Sequence, residues 1–149
     1  AAVDAADLDV PTGCQTHDLK IHGCPTTSSQ ANVDNDQNSN FAANFAVYGT
    51  DADQLIALIR NDEALGQPIH PQHPYCWAEI DWAIDHEMAC SVEDVLARRI
   101  RLLFLDADAA ITAAPAVAQR LAVKLGHDDQ WVEDQIDEFT SLARGYLLK

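Results

Sequence analysis

Residues 82–106 read WAIDHEMACSVEDVLARRIRLLFLD and are the most informative part of the sequence about the fold. Its apolar residues recur at helical spacing, which predicts helices rather than strands. Ser91 followed by Asp94 is a near match to a capping box, in which two side chains satisfy the free backbone N–H groups at a helix start. The stretch therefore predicts one helix that ends near Met88 and a second helix that begins near Ser91 and continues through Leu103.

The segments on either side of this stretch carry the same helical pattern. Gly49, Gly66 and Gly126 stand where helices are expected to end. Pro115 suits either a kink or the first turn of a new helix. The prolines within residues 70–74 predict an extended connector. The predicted fold class is all-α, an irregular helical bundle of about five to seven helices.

Three parts of the chain differ in composition. Residues 1–23 are expected to form an extended N-terminal arm, with a short alternating pattern at Leu19 and Ile21. Residues 24–40 are rich in polar side chains and are expected to form a flexible loop, because they cannot bury much apolar surface. Residues 41–149 are predicted to form the helical domain.

The chain is strongly acidic, with a formal net charge of -15 over 149 residues. Such a surface repels phosphate backbones and anionic lipids, which argues against nucleic acid as a partner and against docking on a membrane through this surface. The alternative role of the charge is to meet a basic partner or a basic neighbouring domain. The longest apolar run, Leu102 to Leu105, is too short to span a bilayer, so no membrane-spanning segment is predicted.

The sequence begins at Ala1 in a helix-like run rather than at Met, so we expect it to be part of a longer protein. No signal peptide is recognisable at its start. The four cysteines are accordingly expected to be reduced thiols, and the chain is expected to be cytoplasmic.

Two groups of Cys and His side chains are candidate metal ligands. Zinc favours four such ligands, and four fall within eleven residues of the arm, although their spacing matches no common zinc finger. These four are Cys14, His17, His22 and Cys24. A second group, His70, His73 and Cys76, is interrupted by prolines that oppose a single helical face. For both groups we favour the alternative in which the residues have no metal.

Three of the nine basic residues lie together at Arg98, Arg99 and Arg101. Arginine binds phosphate and carboxylate groups through two parallel hydrogen bonds, so one interpretation is a site for a substrate anion. Acidic residues flank the arginines on both sides, and we favour a structural ion-pair cluster that holds the bundle together. The partner of each arginine is left open. The expected members of this cluster are Glu87, Glu93, Asp94, Arg98, Arg99, Arg101 and Asp106.

No catalytic motif is recognisable in the sequence. His86 and Glu87 resemble the start of a zinc-protease motif, but Cys90 stands where the second His is required. The chain contains no Gly-x-Gly-x-x-Gly, Gly-x-Ser-x-Gly or phosphate-binding loop. We therefore assign no catalytic residue, no metal and no cofactor to the chain itself.

The run from Glu87 to Asp106 resembles the C-terminal domain of FAD-dependent glycerol-3-phosphate dehydrogenases and alpha-glycerophosphate oxidases. Members of that family carry an acid and Met, then Thr-x-Glu-Asp-x-Leu, Arg-Arg-Thr-Arg and Phe-Leu-Asp. Ser91 and Ile100 stand here for the two usual threonines. The resemblance covers nearly the whole chain except residues 26–40.

The resemblance implies a helical accessory domain of an enzyme that oxidises glycerol 3-phosphate to dihydroxyacetone phosphate. It implies that FAD and the catalytic groups lie in the preceding domain, that residues 1–23 leave that domain, and that electrons pass to quinone, or to oxygen in the oxidases. Implied partners are this FAD-binding domain and a second copy in a homodimer, and the parent enzyme is expected to be peripheral on the inner face of the cell membrane. The alternatives are a small anion- or protein-binding helical module with an Arg cluster and, third, a zinc-binding module.

Overall fold

The computed structural model describes residues 23–24 and 45–147. Over these residues the backbone forms helices and turns without a strand, which confirms the predicted all-α bundle. Most of the predicted arm (residues 1–23) and of the predicted polar loop (residues 24–40) lies outside the described residues. The described helices are α1 (Ala52–Asn61), α2 (Trp77–His86), α3 (Asp94–Arg99), α4 (Leu102–Leu105), α5 (Ala107–Leu125) and α6 (Asp129–Arg144), with 3-10 turns at Phe45–Asp51 and Glu63–Gly66.

Gly49 lies in the 3-10 turn before α1, at the point where Gly23 contacts that turn. Its backbone is left-handed, with a φ of 54°. A Cβ atom at this position would lie 1.7 Å from the carbonyl oxygen of Gly23. Because any side chain would collide with that backbone, only glycine permits the close approach. Gly49 thus ties the segment at Gly23 to the turn that precedes α1.

The connector before α2 folds back on itself, so the prediction that it is extended is wrong. The Ile69 N–H donates to the Tyr75 carbonyl oxygen at 2.9 Å, and the His73 N–H donates to the His70 carbonyl oxygen at 3.2 Å. Pro71 occupies the second position of the resulting four-residue turn, where its fixed φ is favourable. The prolines therefore direct the chain into a turn rather than keeping it straight.

Helix α2 lies between two apolar clusters. Ile80, Ala83 and Ile84 belong to the larger cluster, which α2 shares with α3, α4, α5 and α6. Ala78 and Trp82 belong to a smaller cluster with residues from α1 and the two 3-10 turns. Contact with both clusters makes α2 the central helix of the described domain.

Helix α2 ends earlier than its apolar pattern predicted. Its last residue is His86, whereas the predicted stripe continued to Met88. Met88 has a left-handed φ of 57° and is 84% exposed. Met88 therefore lies outside the core, because the chain turns away from the bundle after α2.

The predicted capping box at Ser91 is confirmed. The Asp94 N–H donates to Ser91 Oγ at 3.1 Å, and the Ser91 N–H donates to Asp94 Oδ2 at 3.1 Å. The helix that follows is π-helical, and the Ile100 N–H donates to the carbonyl oxygen of Val95, five residues earlier, at 3.1 Å. Arg101 then adopts a left-handed φ of 60°. The single helix predicted through Leu103 is therefore divided into α3 and the one-turn helix α4.

Helices α5 and α6 form an antiparallel pair. Asp106 caps α5 by accepting the Ala109 N–H at 3.0 Å. Pro115 lies inside α5, and Gly126, with a φ of 78°, ends it as predicted. The buried face of α5 is mostly alanine, which lets neighbouring helices approach closely. No helix among the described residues is long and apolar enough to cross a membrane.

A buried carboxylate on α2 joins this helix to α5. Asp81 is 6% exposed and accepts from Arg120 Nε and Nη2 at 2.7 and 2.6 Å. Lys124 lies 3.3 Å from Asp81 and 2.6 Å from Asp85. The two bases are one helical turn apart on α5, and the two acids are one turn apart on α2, so the pairs face each other.

We expect Asp81→Asn to lower the free energy of unfolding by about 2 kcal/mol, because it weakens charge-assisted hydrogen bonds at a buried position. Asp85→Asn is the matched control, and it should change this free energy by less than about 1 kcal/mol because Asp85 is exposed. Urea denaturation of both variants checks the difference. Equal effects of the two substitutions would show that the Asp81 pair does not hold α2 to α5.

Candidate functional site

A buried carboxyl group lies at the start of α2. Glu79 is 3% exposed. Its Oε2 accepts the Cys76 N–H at 2.9 Å, and its Oε1 accepts the Tyr48 hydroxyl at 3.2 Å. The first contact satisfies a free N–H group at the helix N-terminus. The second contact attaches the 3-10 turn Phe45–Asp51 to α2.

Burial determines the protonation of this group. It raises the pKa of Glu79 to about 7, against the lowering effect of the Cys76 N–H and the Tyr48 hydroxyl. Burial also raises the pKa of Cys76 to about 11 and raises the pKa of Tyr48. Cys76 is therefore a thiol at neutral pH, which makes it a poor nucleophile.

The predicted ion-pair residues divide into separate groups in the structure. Arg98 reaches Glu93 at 2.5 Å and Asp94 at 2.6 Å, and about half of its side chain is exposed. Arg99 Nε lies 3.3 Å from the Glu87 carboxylate, and its Nε and Nη2 donate to the Glu87 carbonyl oxygen. That carbonyl lies at the end of α2, where such groups lack helical partners and a positive charge is favourable.

Two of the predicted members lie outside these pairs. Asp106 interacts with His73, whose Nε2 lies 3.0 Å from Asp106 Oδ2. The Ala109 N–H and the His73 ring keep the pKa of Asp106 below its ordinary value. Arg101 is exposed and has no acidic partner among the described residues. The structure thus does not bring all seven residues into one cluster.

A cleft of about 750 Å³ opens beside Arg101. Its wall combines the Tyr48–Glu79 pair with two arginines, and exposed apolar side chains form its rim. Such a cleft offers contacts to apolar groups and one charged group to an anion. The residues that line it are Val47, Tyr48, Pro74, Tyr75, Glu79, Arg99, Ile100, Arg101, Phe104 and Leu105.

The candidate metal ligands are not brought together in the described part of the chain. Cys14, His17 and His22 lie outside it, and Cys24 is exposed. In the second group, His73 interacts with Asp106, whereas Cys76 is buried beside Glu79. No group of three Cys, His, Asp or Glu side chains positioned to hold a metal occurs within residues 23–24 and 45–147.

Sequence reasoning missed the Tyr48–Glu79 pair and the Asp81–Arg120 pair. Tyr48 and Glu79 are 31 residues apart, and no local pattern joins them. The Asp81–Arg120 pair could have been predicted from charge spacing. Asp81 and Asp85 are four residues apart on α2, and Arg120 and Lys124 are four residues apart on α5. Complementary charges at helical spacing on two predicted helices indicate that those faces meet.

We expect Glu79→Gln to remove part of the pH dependence of stability. The pKa of Glu79 rises on folding from about 4.5 to about 7, so its contribution is greatest below pH 4.5 and is lost as the pH rises to 7. In the unsubstituted protein, the free energy of unfolding should therefore fall by on the order of 3 kcal/mol over this pH range. In Glu79→Gln this decrease should be absent. Urea denaturation across this pH range, with the exposed Glu133→Gln as control, measures the difference. The same pH slope in all three proteins contradicts the assignment.

We expect Arg99→Ala to lower the free energy of unfolding by about 2 kcal/mol, because Arg99 makes charge-assisted hydrogen bonds at a partly buried helix end. Arg98→Ala should cost less than about 1 kcal/mol, since its ion pairs are exposed to solvent. Arg60→Ala, at an exposed position on α1, is the control. Thermal unfolding of the three variants provides the test, and melting temperatures of Arg99→Ala and Arg60→Ala that agree would contradict it.

Comparison with known proteins identifies the family. Residues 14–132 match the family model described as the C-terminal domain of alpha-glycerophosphate oxidase. No solved structure gives a significant match. Among curated proteins, the probable mitochondrial glycerol-3-phosphate dehydrogenase of Dictyostelium discoideum is 29% identical over 146 residues, which are 95% of this chain and 22% of that protein.

Two further relatives match a shorter part of the chain. The mitochondrial glycerol-3-phosphate dehydrogenase of Arabidopsis thaliana is 41% identical over 100 residues, or 67% of this chain and 15% of that protein. The glycerol-3-phosphate dehydrogenase of Synechocystis is 29% identical over 103 residues, or 69% of this chain and 18% of that protein. The chain thus spans less than a quarter of the length of these relatives. The match over residues 14–132 shows that the chain belongs to the family of C-terminal domains of alpha-glycerophosphate oxidase and glycerol-3-phosphate dehydrogenase.

Proposed function

We propose that the chain is the accessory C-terminal domain of an FAD-dependent glycerol-3-phosphate dehydrogenase. The observation that carries this proposal is the family match over residues 14–132, combined with the small share of each relative that the chain spans. The parent enzyme would oxidise glycerol 3-phosphate to dihydroxyacetone phosphate and pass electrons through FAD to quinone, or to oxygen. The chain itself supports that enzyme structurally.

The residues of this chain do not fit a flavin site of the dinucleotide-binding kind. Such a site needs a strand, a glycine-rich turn and a helix whose N-terminus faces the pyrophosphate. Residues 45–147 form helices and turns, and the sequence lacks Gly-x-Gly-x-x-Gly. We therefore assign FAD to the preceding domain and assign no step of the oxidation to a residue of this chain.

The alternative of an anion-binding module with an Arg cluster has less support. Arg98 is paired with Glu93 and Asp94, and the donors of Arg99 point to Glu87. Only Arg101 of the three arginines has no acidic partner among the described residues. One arginine in a chain of net charge -15 is a weak site for a small phosphate ester.

We extend the proposal to location. Cys76 and Cys90 are thiols in the described structure, as expected in a reducing compartment. The names of the Dictyostelium and Arabidopsis relatives place those enzymes in mitochondria. For the present chain we propose a cytoplasmic location, with the parent enzyme peripheral on the inner face of the cell membrane. Homodimer contacts of the parent stay a prediction.

We expect residues 1–149, purified alone, to be colourless and to give no dye reduction with glycerol 3-phosphate. The polypeptide from the complete reading frame should contain flavin and should reduce the dye. Calorimetry of residues 1–149 with glycerol 3-phosphate and with inorganic phosphate separates the two functions, and the accessory role predicts no saturable heat. Dye reduction by residues 1–149 alone, or a full-length protein without flavin, would overturn the proposal.

A further inference from the structure

We propose that the apolar rim of the 750 Å³ cleft, together with Arg101, is the face on which the preceding catalytic domain docks. The occupant is a segment of that domain that places an apolar side chain against the rim and a carboxylate against Arg101. This inference rests on the proposed function and names the surface through which the accessory role is exerted. The docking face consists of Val47, Arg101, Phe104, Leu105 and Tyr146.

Exposed apolar side chains adjoin one another on the docking face. Val47 is 82% exposed, Leu105 is 67% exposed, and Phe104 and Tyr146 are each about half exposed. The first three line the same cleft, and the ring of Phe104 lies 5.6 Å from that of Tyr146 in an edge-to-face arrangement. Exposed apolar side chains that adjoin one another mark an interaction surface, whereas single ones are ordinary.

The first described residue of the chain, Gly23, lies beside this face. The family description places the domain at the C-terminus of a longer protein, so the remaining polypeptide precedes it. The chain enters the described body at Gly23, whose carbonyl oxygen lies against Gly49. Val47 and Tyr48, on the cleft wall, are the residues directly before that contact. A tethered domain arriving there faces the cleft at high effective concentration.

The charge of the face indicates what the occupant offers. Arg98, Arg99 and Arg120 have acidic partners, whereas Arg101 lines the cleft with none among the described residues. Its left-handed backbone, with a φ of 60°, is uncommon for a residue with a side chain and directs the chain from α3 into α4. A guanidinium that has no acidic partner within residues 23–24 and 45–147 and lies beside apolar side chains is suited to an incoming carboxylate.

A second copy of the chain is a poorer occupant. Two chains that each carry a net charge of -15 repel one another. A symmetric contact would require an acid on the same face to meet Arg101 of the other copy. Within the cleft that Arg101 lines, the carboxyl group is that of Glu79, which is buried and bound by Cys76 and Tyr48, whereas Asp106 and Asp108 line the adjoining cavity beside Tyr146.

The test compares variants in the full-length polypeptide and in residues 1–149. Phe104→Asp, Leu105→Asp and Arg101→Glu change the docking face. Val123→Asp is the matched control, because Val123 is 72% exposed and lies near the opposite end of α5, on the order of 25 Å from Leu105 by the rise of a helix. Arg60→Glu is the control for the charge reversal, at an exposed position on α1.

We expect all five variants of residues 1–149 to have the same melting temperature as residues 1–149 without a substitution. In the full-length enzyme, the three face variants should raise the rate at which a protease separates the two domains by roughly tenfold, because separation tracks the undocked population. The two controls should change that rate by less than about twofold. Arg101→Glu removes no apolar side chain, so it keeps the test valid if an aspartate variant does not fold.

Equal separation rates for face variants and controls, in an enzyme that contains flavin and oxidises glycerol 3-phosphate, would overturn the docking face while leaving the proposed function intact. If residues 1–149 form a dimer and Phe104→Asp abolishes it, the face binds a second copy of the chain. That result would also overturn the inference. A full-length protein without flavin would instead refute the proposed function.

Discussion

The rest of the described structure depends on the buried carboxyl group of Glu79. Its two oxygens hold the first turn of α2 through the Cys76 N–H and the turn before α1 through the Tyr48 hydroxyl. The same helix carries Asp81, which binds Arg120 and holds α5. One turn of α2 therefore joins the small apolar cluster to the large one. Tyr48, attached to Glu79, forms part of the wall of the cleft that Arg101 also lines.

The distribution of charge places acids beside the basic residues that lie between helices. The basic residues on α3 and α5 form ion pairs with neighbouring acids. Of the two arginines that line the cleft, Arg101 has no acidic partner among the described residues. An enzyme needs groups that can change partners or protonation during a reaction. Arg98, Arg99 and Arg120 have acidic partners, and the buried acid Glu79 is hydrogen-bonded, which supports the proposal that this domain is a scaffold with an exposed docking face.

Local features were predictable from the sequence, and long-range ones were not. The capping box of Ser91 and Asp94 and the stop at Gly126 follow from short-range hydrogen bonding, and the structure contains both. The break at Arg101 was hidden because the large buried residues Val95, Leu96, Ile100, Leu102 and Leu103 fit within roughly 160° of a single α-helical face. The cleft joins three segments that are distant in sequence, and the Tyr48–Glu79 contact spans 31 residues. The family could be predicted from the run Glu87 to Asp106 because a family resemblance depends on residue identities and not only on the spacing of apolar residues.

In the proposed arrangement, this domain serves a larger enzyme by packing against it through one face. Hydrogen exchange of the backbone amides, compared between residues 1–149 and the full-length enzyme, tests it most directly. Phe104 and Leu105 lie on the exposed side of the one-turn helix α4, so their amides should exchange fast in the isolated chain. We predict that the amides of Phe104 and Leu105 become protected in the full-length enzyme, while those around Val123 are unchanged. Equal exchange at Phe104 and Leu105 in the two proteins would contradict it.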